Sequence, residues 1–189
     1  MHFCHNEQMT DDISLIQQYL AGEEAAAEEL IKRYQRQMYA FFYRMVRDME
    51  DAKDLTQKTF MKAIGGLKGF RGDASFKTWI YQIALNTGLN HLKESRRETV
   101  DIDDVVIARQ EGILNGLIDQ ERRQRIRESL HRLPERQRTA VMLRAYDGLS
   151  CEEAAQIMGC TEGAVKAHYH LGVKKLRGYM EECGYVSQS

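Results

Sequence analysis

SCEEAAQIMGCTEGAVKAHYHLGVKKLR, residues 150–177, encodes two helices and the short turn between them. Ser150 and Glu153 form an S-x-x-E capping box, in which each side chain satisfies a backbone N–H at the start of a helix. That helix runs from Cys151 to Met158, and Gly159 takes the left-handed conformation that ends it. Thr161 caps a second helix, which extends from Glu162 past Arg177. Ala155 is small enough for the two helices to cross closely. Val165, Tyr169, Val173 and Leu176 recur at helical spacing and give the second helix a buried stripe, while Lys166, Ala167, His170 and Lys174 face the other way. The pattern is that of a helix–turn–helix. Side chains near the start of its second helix reach base edges in the major groove, and lysines and arginines around it neutralise phosphates. A plain helical hairpin would share the caps and the stripe; the short turn and the basic flank together favour a DNA-binding reading.

Working outward, a basic helix runs from Arg122 to Leu133 with Ile126, Leu130 and Leu133 on one side. Pro134 stops it and opens the next helix, PERQRTAVMLRAY, which reaches about Tyr146 before the turn DGLS. Residues 121–180 thus form one helical lobe. Upstream, residues 98–120 carry six acidic side chains against one basic and show weak periodicity, so they read as an acidic linker. Fully extended, such a segment spans about 70 Å. The apolar patches Val105–Ile107 and Ile113–Leu117 keep open a second reading, an acidic helix packed on one lobe.

The remaining lobe, residues 11–97, also reads as helical. Asp12 is placed as the N-cap of a helix carrying Ile13, Ile16 and Leu20 and ending at Gly22. Ala27, Leu30, Ile31, Tyr34, Met38, Phe41 and Met45 mark the apolar face of a longer helix. A third starts near Asp51, with Ala52, Leu55, Thr59, Phe60, Ala63 and Ile64 inward and Asp54, Gln57, Lys58 and Met61 outward. Glycines at 65, 66, 69 and 72 open a loop, and Ser75 caps a fourth helix that runs to about Arg96. One proline in 189 residues and an apolar fraction of 43% suit an all-α fold of two small domains joined by the acidic linker.

The charge pattern and the motifs exclude several classes. The net charge of −1 conceals two nearly balanced lobes around an anionic middle. No apolar run approaches the roughly 18 residues of a membrane span, and MHFCHNEQMTDD lacks the basic-then-apolar pattern of a signal peptide, so a cytoplasmic protein is expected. Cys4, Cys151, Cys160 and Cys183 show no CxxC pairing and are expected to be free thiols. His2, Cys4 and His5 offer only three ligands at a chain end, so no metal and no cofactor is expected. The glycine-rich GFRGDASFK matches no P-loop or dinucleotide fingerprint, and no nucleophile–base pairing is identifiable from spacing, so the chain is not read as an enzyme.

The second lobe alone resembles two families, the C-terminal region of sigma factors and the DNA-binding domain of LuxR-type regulators. A LuxR-type regulator would add an α/β receiver-like first domain, and the first lobe lacks strand–helix alternation. DLTQKTF at 54–60 and FKTWIYQIALN at 76–86 instead resemble two hallmark segments of bacterial extracytoplasmic-function sigma factors, in the same order and separation. The resemblance covers about residues 11–180 and implies sigma-2-like and sigma-4-like domains. It implies that Asp54, Gln57, Lys58 and Met61 dock on the clamp of RNA polymerase's largest subunit. It implies that the glycine loop and the helix after it open the −10 element and hold a flipped base, through Phe70, Asp73, Ser75, Phe76, Lys77, Gln82, Asn86 and Asn90. Arg144, Thr161, Lys166, Ala167, His170 and Lys174 are then the −35 contacts, with neighbouring surface on the polymerase flap. Trp79 is read as core. The partners implied are core RNA polymerase, promoter DNA and an anti-sigma factor, in a stress-response setting.

Overall fold

The computed structural model describes residues 3–98 and 125–182, and among them every regular element is helical. The helices are α1 (Phe3–Leu20), α2 (Glu24–Val46), α3 (Met49–Gly66), α4 (Phe76–Glu98), α5 (residues 125–131), α6 (Glu135–Val141), α7 (Cys151–Met158) and α8 (Glu162–Glu182). A 3-10 turn, Leu67–Gly69, follows α3, and α6 continues into a π-helical turn, Met142–Tyr146. The acidic linker from residue 99, the first residues of the helix expected from Arg122, His2 of the N-terminal cluster and Cys183 lie outside the described residues.

Helix α2 is the spine of the first lobe. Leu30, Tyr34, Met38, Phe41, Phe42 and Met45 are all buried, because α1, α3 and α4 each pack against it. It ends on Arg47 in the left-handed conformation (φ 65°), whose N–H returns to the Tyr43 carbonyl. Asp48 then caps α3, accepting from the N–H groups of Glu50 and Asp51 at 2.8 and 2.9 Å, so that α3 starts two residues before the expected Asp51. α4 crosses α2 at Gly88, where a Cβ would lie 2.5 Å from Met45 Sδ.

Asp12 departs from its expected role. α1 begins at Phe3, so Asp12 sits inside the helix rather than at its start. Its side chain accepts from the Tyr34 hydroxyl and from Arg33 Nη1 at 2.6 Å, while Arg33 Nη2 meets Asp11 at 2.5 Å. The residue is 2% exposed. A short acid before an apolar run has the appearance of a cap, but here its acceptors serve donors on the neighbouring helix.

In the second lobe the caps form as the sequence predicts. The Glu153 N–H donates to Ser150 Oγ at 3.0 Å, the Ser150 N–H to Glu153 Oε2 at 2.6 Å, and the Ala164 N–H to Thr161 Oγ1 at 3.2 Å. Gly159 is left-handed at φ 60°. α8 lies close against α6 at Gly172, where a Cβ would sit 2.7 Å from Val141 Cγ2 and 3.2 Å from the Gln137 carbonyl oxygen. Gly172→Ala is therefore expected to cost about 1–3 kcal/mol and to push α8 off its seat. Thermal unfolding followed by circular dichroism should show a midpoint several degrees lower.

Candidate nucleic-acid interface

On α3, Asp54, Gln57, Lys58 and Met61 lie at i, i+3, i+4 and i+7, and all four side chains are exposed. Met61 is 75% exposed, and Met49 at the start of the same helix is also exposed. The inward residues Ala52, Leu55, Thr59, Phe60 and Ala63 are buried, which fixes the helix rotation and holds the other face outward. A carboxylate, an amide and a solvent-facing methionine on one ribbon suit a docking surface.

The loop after α3 ends in an aromatic cluster. Phe70 packs on Trp79 with ring centroids 5.2 Å apart and on Phe76 at 6.2 Å; Phe76 in turn lies 5.8 Å from Trp79 and 5.4 Å from Tyr34. Gly66 makes room for the indole, since a Cβ there would lie 3.3 Å from Trp79 Cζ2. Phe76, at 1% exposure, is core and not a base contact: Phe70 and Trp79 cover it, and its work is to support them. Phe70 and Trp79 are half-buried and keep ring surface available. Ser75 spends its hydroxyl on capping α4, accepting from the Thr78 N–H at 3.1 Å and pairing with Thr78 Oγ1 at 2.9 Å. Gln82, Asn86 and Asn90 follow at i, i+4 and i+8 along α4 as an exposed amide ribbon, and Asp73 is exposed in the loop.

In the second lobe Lys166, Ala167, His170 and Lys174 form an exposed ribbon on α8, with Leu171, also exposed, beside them. Lys166 is lightly tethered to Glu162 at 3.5 Å, an exposed pair worth little. Thr161 is exposed at the helix start. Arg144 has a different task from the expected phosphate contact. Its Nη1 donates to the Leu149 carbonyl and its guanidinium sits 5.9 Å from the Tyr169 ring, so it braces the turn against α8.

A cluster between the lobes was not evident in the sequence. Arg44 of α2 meets Asp147, just after the π-helical turn, with Nη2 to Oδ1 at 2.6 Å; the two side chains are 15% and 5% exposed. Arg44 also lies 5.0 Å over the Tyr146 ring, Arg127 lies 5.9 Å over the Tyr43 ring, and Lys77 Nζ donates to the Asp147 carbonyl at 3.4 Å. The Tyr81 hydroxyl interacts with the same carboxylate, while Asp147 Oδ2 and Arg44 Nε are without a hydrogen-bond partner. Each such buried, unpaired polar atom costs about 1–3 kcal/mol. Burial pushes the Asp147 carboxyl above its usual range, against the opposing pull of Arg44, and pushes Tyr81 up as well. Nearby, His131 is pushed down to about 4 by burial and then by the charges of Arg138 and Arg47. The sequence signal for this cluster is slight, since its ion pair joins residues 103 positions apart.

Among the described residues there is no group of three or more His, Cys, Asp or Glu that could hold a metal, and no helix is long and apolar enough to cross a membrane. Two helical modules, one with an amide ribbon beside an aromatic platform and one with a basic-flanked helix–turn–helix, define a bipartite DNA-binding protein.

The sequence matches Sigma-70 region 2 over residues 30–98 and Sigma-70, region 4 over residues 123–176. It is 36% identical over 173 residues to the ECF RNA polymerase sigma-E factor of Escherichia coli (strain K12), an alignment spanning 86% of this chain and 90% of that protein. To the RNA polymerase sigma-H factor of Pseudomonas aeruginosa it is 33% identical over 167 residues, spanning 82% and 86%. Among solved structures, RpoE in complex with the anti-sigma factor NepR from Bartonella quintana superposes with a TM-score of 0.67 at 26% identity, covering 82% of this chain and 96% of that one. CnrH in complex with the cytosolic domain of CnrY shares the fold at a TM-score of 0.72 and 22% identity, covering 91% and 98%. The chain belongs to the extracytoplasmic-function sigma factors of the sigma-70 family. As an alternative sigma factor it binds core RNA polymerase and directs transcription initiation; it is not an enzyme, and the LuxR-type reading falls.

Proposed function

We propose a division of labour along the chain. Residues 11–97 dock on the polymerase clamp through Asp54, Gln57, Lys58 and Met61, and hold the opened −10 strand across Phe70, Asp73, Lys77, Gln82, Asn86 and Asn90. Residues 98–120 act as the tether. Residues 121–180 set Thr161, Lys166, Ala167, His170 and Lys174 against the −35 element, with adjoining surface on the flap. The observation that carries the reading is the exposed Gln82/Asn86/Asn90 ribbon on the same helix as Trp79, beside Phe70. An unstacked base needs an aromatic face for stacking and amides that read its edge. The protein works in the cytoplasm, where the polymerase is. Its partner of regulation is an anti-sigma factor, a reading supported by the RpoE relative, which is seen with one.

Run-off transcription with purified core polymerase on a promoter library tests this. Asn86→Ala is expected to lower strand opening, read by permanganate footprinting, about tenfold while leaving polymerase binding intact. Lys166→Ala is expected to weaken dependence on the −35 sequence by about 1–3 kcal/mol and leave opening at −10 unchanged. Transcription at wild-type level by both variants would remove these residues from the promoter interface.

A further inference from the structure

We propose that Leu171 reads the 5-methyl group of a thymine in the −35 element, so that this half of the promoter is recognised through an apolar contact as well as through hydrogen bonds. The inference rests on the proposed placing of α8 against the −35 element and names the base chemistry that α8 takes there. Leu171 is 45% exposed, and among the described residues no other large apolar side chain of α7 or α8 is exposed. It lies four residues after Ala167 and three before Lys174, one helical turn from each, so it shares the ribbon already set toward the duplex. Its orientation is fixed from behind. Val165 is buried, and Gly172, the next residue, is pressed against Val141 and Gln137 of α6, so Leu171 has no inward position to take. The surroundings suit a polyanion: between Glu162 and Glu181, α8 carries Lys166, Lys174, Lys175 and Arg177 and no acidic residue. A leucine ringed by exposed cations complements duplex DNA, whereas an apolar protein surface closing over it would bury those charges.

The chemistry of the base edges narrows the contact. In the major groove guanine, adenine and cytosine present donors and acceptors, and thymine adds a methyl group. Leucine has no polar atom to offer. Against guanine O6, adenine N6 or cytosine N4 it would strip water from a polar group and return nothing, while against the thymine methyl it buries apolar surface on both sides. The other members of the ribbon, Lys166, Ala167, His170 and Lys174, include no Asn, Gln or Arg of the kind that makes bidentate contacts with adenine or guanine. Lys166 is in addition partly engaged by Glu162. A ribbon short of hydrogen-bonding readers leaves discrimination to the side chain that can feel a methyl group.

The test uses the full-length chain assembled with core polymerase, and a promoter fragment that this holoenzyme selects from a library. Each thymine of the −35 element, on either strand, is replaced in turn by deoxyuridine, which removes the methyl group and leaves every hydrogen-bonding atom in place. At one position the wild-type holoenzyme should bind about fourfold more weakly, the effect of losing one buried methyl group. Leu171→Ala should bind the thymine fragment about fourfold more weakly and should bind the thymine and uracil forms of that position equally, while Leu171→Met keeps a preference for thymine. The salt dependence of binding should be unchanged in Leu171→Ala, which loses no phosphate contact, whereas Lys174→Ala should lower its slope by about one. Thermal melting of Leu171→Ala and its binding to core polymerase without DNA should match wild type. The absence of any uracil-sensitive position, a thymine preference that survives in Leu171→Ala, or a loss of core binding in that variant would each overturn the assignment, the last by giving the residue to a polymerase surface. Scrambling the whole −35 element checks the underlying reading separately. A holoenzyme indifferent to scrambling would overturn the placing of α8 and the methyl contact with it, whereas sensitivity to scrambling without sensitivity to uracil would strike the methyl contact alone.

Discussion

A chain carrying Asp54→Ala together with Gln57→Ala is expected to bind core RNA polymerase at least about 100-fold more weakly while unfolding at the wild-type temperature. Both side chains stand on the solvent face of α3, one turn apart, on a helix whose other face is locked by Leu55, Thr59 and Phe60. Truncating them removes no buried surface, so stability should hold within about 0.5 kcal/mol. Binding is another matter. A polar anchor at the centre of an interface costs about 2 kcal/mol or more when cut back to alanine, and two such losses, if they add, come to about three decades in the dissociation constant; partial additivity still leaves about two. Met61→Ala offers a graded comparison: its exposed side chain can bury apolar surface only against a partner, so its loss should weaken binding about tenfold, again without a stability cost. Competition for core polymerase against a labelled wild-type chain, alongside thermal melts, reads both quantities. Wild-type affinity in the double variant would place the clamp contact on another face of the first lobe.

The helix–turn–helix was legible because its determinants are local. The partners of Ser150, Gly159 and Thr161 lie within five residues, so a capping box, a left-handed glycine and a second cap can be read in order along the chain. The apolar stripes were legible for a similar reason, since the period of a helix puts Leu30, Tyr34, Met38, Phe41 and Met45 on one side whatever they meet. Phe42 is buried as well, which the stripe did not anticipate, because α2 is covered on more than one face. What stayed hidden depends on tertiary contact. Phe76 looks like a stacking residue until Phe70 and Trp79 are seen to cover it, and Arg144 looks like a phosphate clamp until Leu149 claims its guanidinium. Asp12 has its partners 21 and 22 positions downstream, and Asp147 has its own more than a hundred positions upstream. Charged side chains carry no mark in sequence that tells a solvated acid from one recruited into a core.

Asp12 is also where the largest loss of stability is expected. Asp12→Ala would strip Arg33 and Tyr34 of their shared acceptor inside the joint between α1 and α2, and removing one partner from a buried ionic cluster costs about 3–5 kcal/mol. For a chain of this size that is a fall of about 10 °C or more in the unfolding midpoint. Asp12→Asn should cost less, because the amide oxygen can still accept from Tyr34 while the buried negative charge is gone. Burial raises the Asp12 carboxyl above its usual value and outweighs the pull of Tyr34 and Arg33 in the other direction. A folded-state value above the unfolded one means that this group's favourable titration contribution is present at low pH and fades as pH rises through the folded value. At neutral pH the protein therefore carries a desolvated carboxylate, a cost that the amide avoids only by giving up the charge-assisted contact with Arg33. The ranking wild type, Asn, Ala should appear in thermal melts at pH 7, and the gap between wild type and Asn should widen as the pH is lowered below the folded value, where the protonated wild-type carboxyl carries no desolvation penalty. A melting midpoint for Asp12→Ala within a degree of wild type would show that α1 is held by its apolar contacts at Ile16 and not by this cluster.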